Sequence, residues 1–208
     1  MDIKNVKTYG ISESIEASGY PMSIGNPKDI SHYTDYTDTF GFPEKVVKRA
    51  EKLGRTDPGT GHNSFLKGCI VQFDIQYPQY LTPQMQRYHW FEIISSQSKM
   101  HRLTSRKDIT NDCNKWVNPE IIKIVNFYIE KYNESENKTD KDMWFKYIIS
   151  NLPMGFEMWM RISTNYLQLK TIYKQRKNHK LEEWRFLCEW IKTLPLFKEI
   201  VLNKQGDE

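Results

Sequence analysis

At 208 residues the chain is long enough to bury one core, and 38% apolar with 13% aromatic content excludes disorder throughout. Thirty basic against 26 acidic side chains leave a net charge of only +4, mild enough for a small phosphorylated ligand and without the basic stripe that duplex nucleic acid requires. Three cysteines (Cys69, Cys113, Cys188) without C-x-x-C spacing argue against a disulfide framework or structural zinc. No His, Cys or carboxylate cluster has metal-ligand spacing, so no metal is expected. With no signal peptide and no run of eighteen apolar residues, the expectation is one cytoplasmic domain over 1–208, off the membrane.

In chain order, Ile3, Val6 and Tyr9 alternate as a strand, and Ile11, Ile15 and Ala17 form a short helical face. Residues 18–42 have no sustained period and read as a long irregular loop. Pro43 and Gly54 bracket a helix over about 43–53 with Val46, Val47, Ala50 and Leu53 on its apolar face. A turn at 57–61 follows. Val71, Phe73, Ile75 and Tyr77 then alternate with Gln72, Asp74 and Gln76, the period of a half-buried strand that Pro78 and Pro83 end.

From Gln84 to about Ile94 the pattern is helical, and a serine loop succeeds it. Residues 104–118 read as irregular, anchored by Trp116. Asn118-Pro119 supplies an N-cap and N1 pair for a helix striped by Ile122, Val125, Ile129 and Tyr132. A solvated connection over 133–141 leads to a short helix marked by Trp144, Tyr147 and Ile148. The 4-3-4 spacing of Ile162, Tyr166, Leu169 and Tyr173 predicts a helix from about 155 to 177. In the last helix Leu181, Trp184, Cys188 and Ile191 face inward.

Two stretches carry chemistry. QMQRYHWFEIISSQSKMHRL, from Gln84 to Leu103, offers planar forks at Arg87 and Arg102 that suit phosphate or carboxylate, with short donors at Ser95, Ser96 and Ser98. Taken alone, it reads equally well as a polar helix and loop on a basic surface. The segment before it, GHNSFLKGCIVQFDIQYP from Gly61, followed by Q-x-x-R at Gln84 to Arg87, resembles the flavin-dependent thymidylate synthases of the ThyX type. In that family a Gly-His, a strand and a Q-x-x-RHR motif lead into a serine-containing nucleotide loop. The RHR position reads Arg87-Tyr88-His89 here, and the loop reads Ser95 to Met100 within one residue of register.

A second match lies in STNYLQLKTIYKQRKNHK, from Ser163 to Lys180. Asn165 and Arg176 stand eleven residues apart, the family's separation between a helix Asn and the nucleotide-binding Arg. On a helix that is about three turns, which aligns the two side chains roughly 16 Å apart. Leu167 and Thr171 occupy positions where the family has Arg and often Asn. A basic helical face is the plain alternative, but two motifs in the right order identify a divergent member of the family.

The resemblance implies an α+β fold, with a twisted, mainly antiparallel sheet and several amphipathic helices, assembled as a homotetramer with active sites between subunits. It implies an enzyme that methylates dUMP reductively at C5 to give dTMP, with methylenetetrahydrofolate as carbon donor and FAD reduced by NADPH. Arg176 would be the catalytic cation on the uracil ring. Gln84, Arg87, Ser96 and Ser98 would join it in binding the nucleotide. His62, Arg87, Tyr88, His89 and Asn165 would bind the flavin. Two alternatives are a related C5-modifying flavoenzyme on another pyrimidine nucleotide and a non-catalytic nucleotide-binding protein that kept the fold.

Overall fold

A computed structural model describes residues 1–25, 41–57 and 59–202, so most of the expected 18–42 loop lies outside the described residues. Strand β1 (Asp2–Tyr9) leads through Gly10 into helix α1 (Ile11–Ala17). Gly10 has φ +67°, a left-handed turn that a side chain would strain, and a Cβ there would stand 2.7 Å from the Gly68 carbonyl oxygen. Helix α2 (Glu44–Gly54) begins with Pro43 as its N-cap, one place earlier than the N1 position expected, and Gly54 is its last residue.

Strand β2 (Ile70–Pro78) follows the expected alternation: Val71, Phe73, Ile75 and Tyr77 are each 0% exposed. It leads into a short helix α3 (Thr82–Met85). The helix expected to run from Gln84 to Ile94 stops at Met85. Tyr88 to Phe91 turn back, with the Phe91 N–H on the Tyr88 carbonyl at 3.1 Å, and Glu92–Ser96 form strand β3. β-Branched Ile93 and Ile94 favour that extended state once a partner strand is present.

Helix α4 (Lys99–Arg102) is one turn long. In the irregular stretch after it Trp116 is 72% exposed and anchors nothing; Leu103 and Ile109 are the buried residues. Helix α5 (Pro119–Glu134) is capped as expected, the Asn118 side chain accepting from Glu120 N–H. Helix α6 (Lys138–Asn151) begins within the stretch expected to be a solvated connection, because Asn137 caps it by accepting from Asp140 N–H.

The predicted helix over 155–177 is a strand and a helix in series: β4 (Glu157–Asn165), then α7 (Tyr166–Arg176). Met158, Met160 and Ile162 face inward with period two, while Tyr166, Leu169 and Tyr173 do so with helical period. Ile162 joined the 4-3-4 series only because the two periods meet there. Helix α8 (Glu182–Ile191) buries Trp184, Leu187, Cys188 and Ile191, and α9 (Phe197–Val201) ends the described chain.

The four strands form one sheet in the order β1-β2-β4-β3, mainly antiparallel, with the two most buried strands at its centre. With its helices this is an α+β fold. The chain divides into two compact units. One comprises 1–4, 74–87 and 93–162. In it α5 packs on α6, Tyr128 stacks on Trp144 at 5.9 Å, and Arg161 pairs with Asp74 at 3.1 Å. The other comprises, among the described residues, 5–25, 41–57, 59–73, 88–92 and 163–202. In it α7 contacts α8 and α9, and α9 contacts α2.

Candidate functional site

Helix α7 organises the second unit's share of the candidate residues. The chain leaves β4 extended at Asn165 (φ −137°, ψ 166°), whose side chain accepts from Gln168 N–H at 2.9 Å and starts the helix. Asn165 is only 5% exposed. Arg176 closes the same helix, so the two residues matched by spacing sit at its two ends. The Arg176 Nε donates to the Tyr88 hydroxyl at 2.7 Å, and that hydroxyl donates to the Gln175 Oε1 at 3.0 Å. The Arg176 guanidinium carbon lies 4.6 Å from the Trp184 ring centroid, inside cation–π range. Tyr88 meets Trp184 edge-on at 5.7 Å.

Two residues further along, the Trp90 N–H donates to the Gln168 Oε1 at 3.2 Å. The segment 88–90 is therefore tied to α7 at both ends, and the exposed His89 is held between the ties. The structure thus brings Tyr88, His89, Asn165 and Arg176 onto one helix and its strap. Tyr88 itself is 7% exposed and turned into the core.

The loop that carries His62 is fixed by the other side of α7. Lys170 is 7% exposed, and its ammonium donates to the Gly54 and Thr56 carbonyls at 2.6 and 2.5 Å, satisfying acceptors at the end of α2. Asn63 is 2% exposed and donates to the Thr56 carbonyl at 2.9 Å. Lys174 pairs with Asp57 at 2.8 Å, and its hydrogen bond and charge hold that carboxyl below the usual range. His62 stands exposed on this pinned backbone.

Gln84, Arg87, Ser96 and Ser98 belong to the first unit. Gln84 is half-buried in α3, and Arg87 is exposed just after it. Ser96 is exposed at the end of β3. Ser98 caps α4 by accepting from His101 N–H at 3.1 Å, and its hydroxyl hydrogen can still donate. Between them Gln97 extends the sheet, its N–H on the Trp159 carbonyl at 3.0 Å and its side-chain oxygen accepting from Trp159 N–H at 3.1 Å. Lys99 donates to Gln79 at 2.6 Å.

Gln168, Lys170 and Gln175 were not among the candidate residues read from the sequence, and Trp184 was read only as an inward-facing residue of the last helix. The available signal was polar residues inside α7 at positions that a core-facing helix would fill with apolar ones; Gln168 and Lys170 are both buried. His179 was also missed. Its Nδ1 accepts from Leu181 N–H at 3.2 Å, and burial followed by the nearby Arg176 lowers its pKa. Thr171, in place of the family's Asn, bonds back to the Leu167 carbonyl at 3.2 Å. The thiols are unfit for nucleophilic work: burial pushes Cys69 and Cys188 up to about 12 and Cys113 to about 11. Among the described residues no group of three metal-ligating side chains gathers, and no helix is long and apolar enough to cross a membrane.

No family model and no curated protein matches the sequence. Solved structures do match the fold. The ThyX flavin-dependent thymidylate synthase of Helicobacter pylori, complexed with FAD and dUMP, superposes with a TM-score of 0.67 at 14% identity, over 97% of this chain and 100% of that one. A second structure from Helicobacter pylori with FAD and dUMP gives 0.65 at 13%, over 98% of both chains. The UMP/dUMP methylase PolB of Streptomyces cacaoi, bound with 5-Br dUMP, gives 0.60 at 11%, over 96% of this chain and 92% of that one. The chain has a ThyX-like fold.

Proposed function

We propose that this protein is a flavin-dependent enzyme that methylates dUMP reductively at C5 to give dTMP, with methylenetetrahydrofolate as carbon donor, FAD as cofactor and NADPH as reductant. The observation that carries the reading is Arg176, a cation at the end of α7 oriented by Tyr88 and laid against Trp184. A guanidinium fixed in this way is prepared to hydrogen-bond the uracil carbonyl and N3 edge and to stabilise the negative charge that develops on the ring. Gln84, Arg87, Ser96 and Ser98 are the donors for phosphate and sugar. The family that the sequence resembles needs no enzymic cysteine, in keeping with three thiols whose pKa burial raises, and ring activation is assigned to Arg176.

The residues fit FAD. Exposed His62 and His89 on pinned backbone, exposed Arg87, and the 59% exposed Trp90 offer cationic and imidazole donors for a pyrophosphate and a flat ring for stacking. Asn165 completes the set, with Tyr88 behind it. When bound, the flavin supplies the hydride. A second reading, the same C5 chemistry on another pyrimidine nucleotide such as UMP, is supported by the likeness to the UMP/dUMP methylase structure.

A cytoplasmic homotetramer belongs to the same proposal. It is supported by apolar side chains left outside, Ile94 at 59% on β3 and Ile124 and Phe127 at 47% on α5. Purified protein incubated with excess FAD and then desalted should keep a flavin absorption band. It should scatter light as a particle of about four times 24.9 kDa. A colourless protein after that treatment removes the flavoenzyme reading and leaves a nucleotide-binding protein; a monomer at micromolar concentration removes the tetramer.

A further inference from the structure

The geometry points to Tyr88 as the positioning residue for Arg176, set behind the site and touching neither nucleotide nor flavin. This inference rests on the uracil role proposed for Arg176. A phenol has one proton, and Tyr88 gives it to the Gln175 Oε1 at 3.0 Å. The Tyr88 oxygen must then accept from the Arg176 Nε–H, 2.7 Å away, which is a donor only. The chain Arg176 to Tyr88 to Gln175 therefore runs in one direction. The edge-on packing of the phenol against Trp184 at 5.7 Å fixes the ring that carries this hydroxyl.

Two constraints follow for the guanidinium. Contact with the Trp184 ring at 4.6 Å and the Tyr88 ring at 5.7 Å, carbon to centroid, limits where the guanidinium lies, and the bond to the Tyr88 hydroxyl sets its rotation. A planar donor that must meet a planar uracil edge needs both, because misorientation by tens of degrees removes a bidentate fit. The Tyr88 hydroxyl thus contributes to nucleotide affinity without reaching the nucleotide. Lysine at 176 has no Nε–H of this kind, so the coupling depends on arginine.

The test is calorimetric titration of the FAD-loaded full chain with dUMP, using wild type, Tyr88→Phe, Arg176→Lys and the double variant. Tyr88→Phe keeps the ring on Trp184 and should weaken dUMP binding about threefold to tenfold, the loss of one preorganising contact. In the Arg176→Lys background the same change should alter affinity by less than about twofold, giving a non-additive cycle. Should Tyr88→Phe melt early, the titrations are run well below its midpoint, and Gln175→Ala, which frees the hydroxyl to rotate but leaves it able to accept from Arg176, should show a smaller loss in the same direction. Equal losses in both backgrounds, or wild-type affinity in Tyr88→Phe, overturn the positioning role while the proposed function stands. A wild-type protein that binds no dUMP overturns the function itself, and this inference with it.

Discussion

Arg176→Ala should weaken dUMP binding by roughly tenfold to a hundredfold, as expected for one charge-assisted hydrogen bond worth about 1.5–3 kcal/mol. Arg176→Lys should recover only part of that loss, because a point charge keeps the attraction but not the fork. The contacts of Arg176 explain why the effect should fall on binding more than on folding. Its guanidinium lies over Trp184, yet Trp184 is 0% exposed and is packed from several sides. Deleting the cation removes its contacts with the Trp184 and Tyr88 rings and one hydrogen bond to Tyr88, together about 1–2 kcal/mol of stability. Titration calorimetry with dUMP, run beside thermal melts, separates the two effects. If wild type binds and Arg176→Ala binds equally well, the arginine is an ordinary member of a basic face and the uracil role is wrong.

The parts of the fold legible in the sequence are those whose cause is local. The alternation of Val71 to Tyr77 and the Asn118-Pro119 cap need only neighbours along the chain, and both formed as expected. Strand β4 carried an equally local signal, since Met158, Met160 and Ile162 alternate with Trp159 and Arg161, but the helical spacing that continues from Ile162 masked it. Strand β3 is different. All five of its residues are exposed, so no inward-outward pattern marks it, and its identity comes from pairing with β4.

The candidate site divides in the same way. Asn165 and Arg176, which the structure places as N-cap and last residue of α7, were named because their eleven-residue separation matches the family that the sequence resembles. The partners that orient them were not, because they arrive from far away. Tyr88 meets Arg176 across 88 positions, and Lys170 reaches the Gly54 carbonyl across 116. A buried lysine looks like a surface residue until the carbonyls it serves are known.

Gly54→Ala should be the most damaging alanine substitution among the described glycines. Gly54 is the last residue of α2, and a Cβ added there collides with the Ile200 carbonyl oxygen and meets the Phe65 ring at 3.4 Å. The collision is with backbone, so no side-chain rotation relieves it; α2 and α9 must separate. Separation opens a closely packed core around Ile200, which is 1% exposed, and it pulls on the carbonyl that Lys170 holds at 2.6 Å. Overpacking and a weakened buried hydrogen bond together should cost about 3 kcal/mol or more. For a chain of this size that lowers the melting temperature by roughly 6–12 °C. The damage should also reach the site, because Lys170 fixes Thr56, and Thr56 and Asp57 anchor Asn63 beside His62. FAD affinity should therefore fall with stability. Lys174→Ala breaks only the exposed Asp57 pair and should leave the midpoint nearly unchanged. Urea unfolding and flavin titration of both variants make the comparison. An unshifted midpoint in Gly54→Ala would show that α2 and α9 do not approach as closely as the Ile200 carbonyl requires.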